Sequence, residues 1–160
     1  MLALVILFAY RRPEHVSKAL RALRENTLAA ESDLVVYVDG PGDSSEEEAV
    51  QQVRDVVSGI DRFGSVTAHA REEHLGLARS VITGVTAEIE ARGKVIVLED
   101  DHVATPDFLT FMNAALDYYE ANPKVFSVSG YAFPLKGYDP APYSYNDRLM
   151  PRSEKVFTNL

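Results

Sequence analysis

Val95-Ile96-Val97-Leu98-Glu99-Asp100-Asp101 is an unbroken apolar run that ends in three adjacent carboxylates. Four branched apolar residues after a Gly93-Lys94 turn read as a strand buried on both faces. Strands of that kind lie in the middle of parallel α/β sheets, and ligands bind just beyond their carboxyl ends. Three acids at such a place repel one another and are partly desolvated, so a positive partner is expected. A divalent cation is the simplest one, because hard oxygen ligands suit Mg²⁺ or Mn²⁺. The plainer reading is a solvated acidic turn before the next helix. Thr105-Pro106 already supplies a start signal for that helix, so capping does not require three acids.

Working outward, the same alternation recurs. Leu2 to Ala9 is a continuous apolar run and reads as the first strand. Pro13 and Glu14 open a helix whose Val16, Ala19, Leu20 and Leu23 share one face. Leu34 to Val38 is a second strand, ending at Asp39-Gly40-Pro41-Gly42. Ser44 or Ser45 can cap the following helix, with Glu46, Glu47 and Glu48 in its positive first turn. Ser65 to His69 reads as a short third strand. A helix from about Gly76 follows, with Leu77, Val81, Ile82, Val85 and Ile89 as its apolar residues. After the acidic strand, Thr105-Pro106 starts a helix running to Asn122-Pro123, and Val125 to Ser129 reads as a fifth strand. The order β-α-β-α-β-α-β-α-β predicts an α/β fold, a mostly parallel sheet with helices on both faces.

Residues 1–130 form the expected domain. Residues 131–160 are Pro- and Tyr-rich, with no firm period beyond a short strand at Lys155 to Thr158. A loop tail of this length is unusual in a compact domain and points to a second half lying elsewhere.

Composition narrows the function. The chain of 160 residues carries a net charge of −8 and has no cysteine. It has no basic block, which argues against nucleic acid or an anionic membrane as partner. Disulfides and zinc-thiolate sites are excluded. The apolar start, Met1 to Ala9, is far shorter than the ~20 residues of a transmembrane span. It also lacks the marks of a signal peptide, so a cytoplasmic protein is expected.

Within the acidic strand end, alternation sends Glu99 and Asp101 one way and Asp100 the other. One carboxylate can then ligate a metal while a neighbour acts through water or on a sugar hydroxyl. Asp39 ends the second strand at the same sheet edge; it reads either as a turn former or as an acceptor for a nucleobase or ribose. Arg11 and Arg12 end the first strand on that edge too. Arg79 lies early in its helix, where a cation gains nothing from the helix dipole, so an anionic partner is expected for it. His69, His74 and His102 show no metal-ligand spacing, and His102 reads as a surface residue. There is no P-loop, no Gly-rich dinucleotide fingerprint and no G-x-S-x-G elbow.

Taken together, these stretches resemble the N-terminal, nucleotide-sugar-binding half of GT-A glycosyltransferases. Within them the chain is most similar to the N-acetylglucosaminyltransferase I group and its bacterial relatives. The first strand with Arg11-Arg12-Pro13 resembles that group's strand followed by Asn-Arg-Pro. Val36-Tyr37-Val38-Asp39-Gly40 resembles the strand whose terminal Asp contacts uracil. Leu77-Ala78-Arg79 matches the helix before the metal strand. Val97 to Asp101 resembles the Glu-Asp-Asp form of the DxD motif, followed by a similar Pro106-Asp107-Phe108. The resemblance implies a metal-dependent transferase using Mn²⁺ or Mg²⁺ and a UDP-sugar donor, with UDP-GlcNAc the first suggestion. It makes Asp101 the main metal ligand and gives Glu99, Asp100, Asp39, Arg11, Arg12 and Arg79 contacts to the donor. The acceptor is a glycan or other hydroxyl compound, and no catalytic base is assigned, because the family carries it in the other half.

Three rival readings stand beside this one. A sugar-phosphate nucleotidyltransferase wants a Gly-rich loop where the chain has Ala9-Tyr10-Arg11-Arg12-Pro13. A receiver-like Mg²⁺ module wants an acidic pair after the first strand. A catalytically incomplete nucleotide-sugar-binding domain is separated only by turnover.

Overall fold

The computed structural model describes residues 1–131. Along them run β1 (Leu4–Ala9), α1 (Pro13–Arg24), a 3-10 turn (Ala29–Glu31), β2 (Asp33–Val38), α2 (Glu47–Ser58), β3 (Ser65–Ala70), α3 (Leu77–Arg92), β4 (Val95–Glu99) and α4 (Phe108–Tyr119). The strands form an all-parallel sheet in the order β3-β2-β1-β4. The chain steps outward from β1 to β3, and α3 then carries it back to the far side of β1. That reversal opens a crevice between the carboxyl ends of β1 and β4, where open α/β sheets bind ligands.

Strand alternation sorts the core into two layers. Leu4, Ile6 and Phe8 of β1 and Val35 and Tyr37 of β2 cluster with Val81 of α3. Val5, Leu7, Leu34, Val36, Ile96 and Leu98 point to the opposite face and are buried, as are Val16, Leu20 and Leu23 of α1 and Val50 and Val53 of α2. Each such side chain contributes roughly 1.5–3 kcal/mol by leaving water. Register places Phe8 level with Tyr37 and Glu99, and Tyr37 level with His69. The rings stack along this row, Phe8 to Tyr37 at 5.4 Å and Tyr37 to His69 at 4.8 Å between centroids.

Two buried asparagines complete the compact unit Met1–Asn113. Asn26 Oδ1 accepts the Leu109 N–H at 2.9 Å, supplying an acceptor to the first turn of α4. Asn113 Oδ1 accepts the Ala3 N–H at 2.8 Å, and its Nδ2 donates to Leu109 O at 2.8 Å. Start signals near α4 and α2 therefore act differently than expected. Helix α4 begins at Phe108, after a turn closed by the Phe108 N–H on Thr105 O, and ends at Tyr119. Helix α2 has Glu46, not a serine, at its N-cap; Ser45 is engaged by Asp43 in the preceding turn.

Two larger corrections concern α3 and the fifth strand. Of the apolar residues that mark α3 in the sequence, Leu77, Ile82 and Ile89 are exposed, Ile82 to 65%. The buried residues of α3 are Ser80, Val81 and Gly84. The Phe8 and Tyr37 rings fill the space beneath the helix, so small residues must face them. A Cβ on Gly84 would lie 2.9 Å from the Phe8 ring and 3.0 Å from Tyr37. Strand β4 is accordingly buried on one face only, with Val95 and Val97 half-buried. Val125 to Ser129 forms no strand among the described residues, and Phe126 is fully exposed. Apolar, β-branched composition favours extended backbone, but a strand exists only through ladder partners, which this run lacks within residues 1–131. The strand expected at Lys155 to Thr158, and the rest of the irregular segment beyond residue 131, lie outside the described residues.

Candidate active site

Beyond Ala9, β1 runs through Tyr10, Arg11 and Arg12 into α1, which starts at once because Pro13 occupies its first helical position. Beyond Glu99, β4 ends in a turn that carries Asp100 and Asp101. Since β1 and β4 are neighbours, these two ends meet. The Arg12 Nε donates to Asp100 Oδ2 at 3.2 Å, and Nη2 pairs closely with Oδ1, a two-point fork. Asp100 is 4% exposed. The same Nη2 lies 3.7 Å from Asp101 Oδ2. Hydrogen bonding to Asp100 is the main cause that raises the Arg12 pKa above its ordinary value, so the guanidinium is cationic at every working pH. The positive partner expected for the acidic strand end is therefore present in the chain itself.

Asp101 is the open member of the triplet, its side chain 48% exposed. His102 folds back beside it: Nδ1 accepts the Glu99 N–H at 3.1 Å, and Nε2 lies 3.9 Å from Asp101 Oδ1. Glu99, the last residue of β4, is level with Phe8. Among the described residues no three carboxylate or histidine side chains converge as a ready-made metal cage. Asp101 alone fits a hard cation that takes one carboxylate and fills its other positions with phosphate oxygens and water. Asp100 does not, because Arg12 takes both of its oxygens.

Asp39, buried at the end of β2, has a role that its neighbours in sequence could not reveal. Its two oxygens accept the Leu75 N–H at 3.0 Å and the Gly76 N–H at 2.9 Å, with His74 Nδ1 3.0 Å from Oδ2. It thereby holds the loop that enters α3. The loop packs on Gly40 so closely that a Cβ there would stand 2.6 Å from Glu72 O. Each carboxylate oxygen has two lone pairs, so capacity for a further donor is retained. Arg11 pairs with Glu46 at the start of α2, and the Tyr10 hydroxyl bonds the same carboxylate. Glu46 also accepts the Gly42 N–H at 2.9 Å.

Phe8 to Arg12, Asp39, His74, Leu77, Ser80, Glu99 and Asp100 line one cavity of about 300 Å³. Of the residues expected from sequence, Arg11, Arg12, Asp39, Glu99 and Asp100 meet there. Asp101 stands beside it on Arg12, and Arg79 is exposed on α3 outside the lining. The sequence reading missed Tyr10, whose ring meets His74 at 4.7 Å, and, outside the lining, Arg71 as the partner of the lining Ser80. Arg71 bonds the Ser80 hydroxyl, reaches Thr83 Oγ1 at 3.3 Å and stacks over Tyr37 at 5.1 Å. The position of Arg71 directly after β3, at the same sheet edge, was the available signal.

No protein-family model matches the chain, and no curated protein sequence matches it. Solved structures do. TarS 1-349 from S. aureus in complex with UDP superposes with a TM-score of 0.52 at 17% identity, over 84% of this chain and 38% of that one. The mannosyltransferase PcManGT from Pyrobaculum calidifontis, in complex with GDP-Man and Mn²⁺, gives 0.50 at 18% identity over 81% and 35%. A second TarS structure gives 0.52 at 17% identity over 84% and 23%. The likeness is one of fold: a parallel α/β sheet with flanking helices, shared with glycosyltransferases. The chain spans between 23% and 38% of the length of these proteins.

Proposed function

We propose that the chain is the donor-binding part of a metal-dependent glycosyltransferase that takes a UDP-sugar. The observation that carries this reading is the meeting of Arg12, Asp39, Glu99 and Asp100 around one cavity at the reversal between β1 and β4. Arginine suits a diphosphate, carboxylates suit sugar and base hydroxyl or N–H donors, and the cavity suits a small ligand. The UDP and the GDP-Man with Mn²⁺ held by two fold neighbours support a nucleotide-sugar and a divalent ion.

In this reading Asp101 ligates the cation, Glu99 supports it at the sugar, and Asp100 supports it by holding Arg12. Asp39 accepts from the base, and Arg11 or Arg12 contacts the diphosphate. A bound Mn²⁺ or Mg²⁺ would supply Lewis-acid stabilisation of charge on the departing diphosphate. No side chain is assigned as base for the acceptor hydroxyl. The resemblance to the N-acetylglucosaminyltransferase I group makes UDP-GlcNAc the first donor to try.

Calorimetry of UDP with Mn²⁺, then with excess chelator, tests the proposal, with GDP as the competing base. Binding of UDP that requires the cation is the expected result. Equal affinity in chelator removes the metal from the reading, and preference for GDP removes the uracil assignment.

A further inference from the structure

Arg12 occupies the two oxygens of Asp100 and reaches toward Asp101. A divalent cation on Asp101 would therefore stand within a few ångströms of a guanidinium held in place by a buried carboxylate. Like charges that close oppose each other strongly at a half-exposed site. An anion between them reverses the sign, because both cations then attract it. Building on the proposed donor site, we infer that Arg12 makes cation binding at Asp101 conditional on the diphosphate. Without the nucleotide, the guanidinium neutralises Asp100, stands 3.7 Å from Asp101 and keeps the divalent ion there weakly held. With it, the diphosphate draws the guanidinium off the Asp101 side and leaves that carboxylate to the metal. Since linkage is reciprocal, Arg12 also sets how strongly the metal tightens the nucleotide.

The geometry supports a device of this kind in three ways. The pair is two-pointed, so the arginine is aimed. It joins residues 88 positions apart, so it is built by the fold. Asp101, by contrast, is tied to Arg12 only at 3.7 Å and is half exposed, the contact most readily given up.

The test measures Mn²⁺ binding without nucleotide by the loss of the free-ion EPR signal. Wild type is compared with Arg12→Gln, Arg12→Lys and Arg21→Gln, the last removing a charge from the same helix. Arg21 is nine residues on, ~13 Å along α1, beyond a Debye length of about 10 Å. Arg12→Gln should bind Mn²⁺ at least about tenfold more tightly than wild type, about 1.4 kcal/mol. Arg12→Lys, which keeps the charge, and Arg21→Gln should stay within about twofold of wild type. Circular dichroism melts establish that each variant is folded. Should Arg12→Gln unfold, the Arg12 Nε–H resonance of the wild-type chain answers instead, expected to move on adding UDP and not on adding Mg²⁺ alone. Unchanged or weaker Mn²⁺ binding by folded Arg12→Gln, or a resonance that Mg²⁺ alone displaces, overturns the inference while leaving the donor site standing if wild type binds UDP with Mn²⁺. Absence of UDP binding to wild type with and without Mn²⁺ removes the donor site and this inference together.

Discussion

Replacing Asp39 with alanine separates what this residue does for the loop from what it does for a ligand. The carboxylate is 4% exposed and accepts two backbone N–H groups, at 3.0 and 2.9 Å. Hydrogen bonds to a charged acceptor are each worth roughly 1.5–3 kcal/mol, so the two together are worth about 3–6 kcal/mol. Glu72, Glu73 and His74 are exposed, so water can reach the vacated donors and recover part of this. Asp39→Ala should therefore lower stability by about 3 kcal/mol, and Asp39→Asn by about 2 kcal/mol, since the amide oxygen keeps one donor. Urea unfolding at neutral pH reads this as a lower midpoint at unchanged slope. Calorimetry on folded Asp39→Asn then compares UDP with pyrophosphate. A contact to the base predicts loss for UDP only. A cost for Asp39→Ala below about 1 kcal/mol would refute the claim that this carboxylate holds the α3 loop. Equal losses for the two ligands would refute base recognition.

Three further outcomes are expected. Asp101→Asn should weaken metal-dependent UDP binding far more than Glu99→Gln, because it removes both charge and a direct oxygen ligand; similar losses in calorimetry would show that Asp101 is not the main ligand. Gly84→Ala should cost about 1–3 kcal/mol in a thermal melt, as a Cβ there meets the Phe8 and Tyr37 rings; an unchanged melting temperature would show that the helix yields freely. Burial, with a hydrogen bond to Glu88, pushes the Tyr37 hydroxyl up to about 12. The folded state then holds this proton after the unfolded chain, at about 10, has lost it. Its contribution is full below pH 10 and is lost as pH rises toward 12, so Tyr37→Phe should flatten the stability profile between these values. A profile identical to wild type in that window would count against the burial.

Much of the framework was readable because it rests on local pattern. Continuous apolar runs located β1, β2 and β4, and Pro13 located the start of α1. What was not readable depends on partners far away in the chain. Strand order places β4 beside β1, and only then do Arg12 and Asp100 meet. The inward face of α3 was not legible from its apolar residues, because a row of rings beneath it demands glycine and serine, so Leu77, Ile82 and Ile89 turn outward. Asp39 was recognisable as a strand-end acid, but its hold on Leu75 and Gly76 requires a loop 36 residues on. The extended run at Val125 to Ser129 shows the converse: composition sets a preference, and pairing decides the outcome.

The pairing of β4 with β1 has one more consequence. Leu4 aligns with Val95 and Phe8 with Glu99, and every β4 residue from Val95 to Leu98 is aliphatic. A slip of one position would exchange the two faces of this strand while still offering branched aliphatic side chains to both layers, so oil-and-water sorting discriminates poorly between the two threadings. The carboxylates discriminate well. A slipped strand would displace Asp100 by one position and leave Arg12 without its fork. The guanidinium thus proofreads the assembly of the sheet, and a molecule that passes has its acids already aimed.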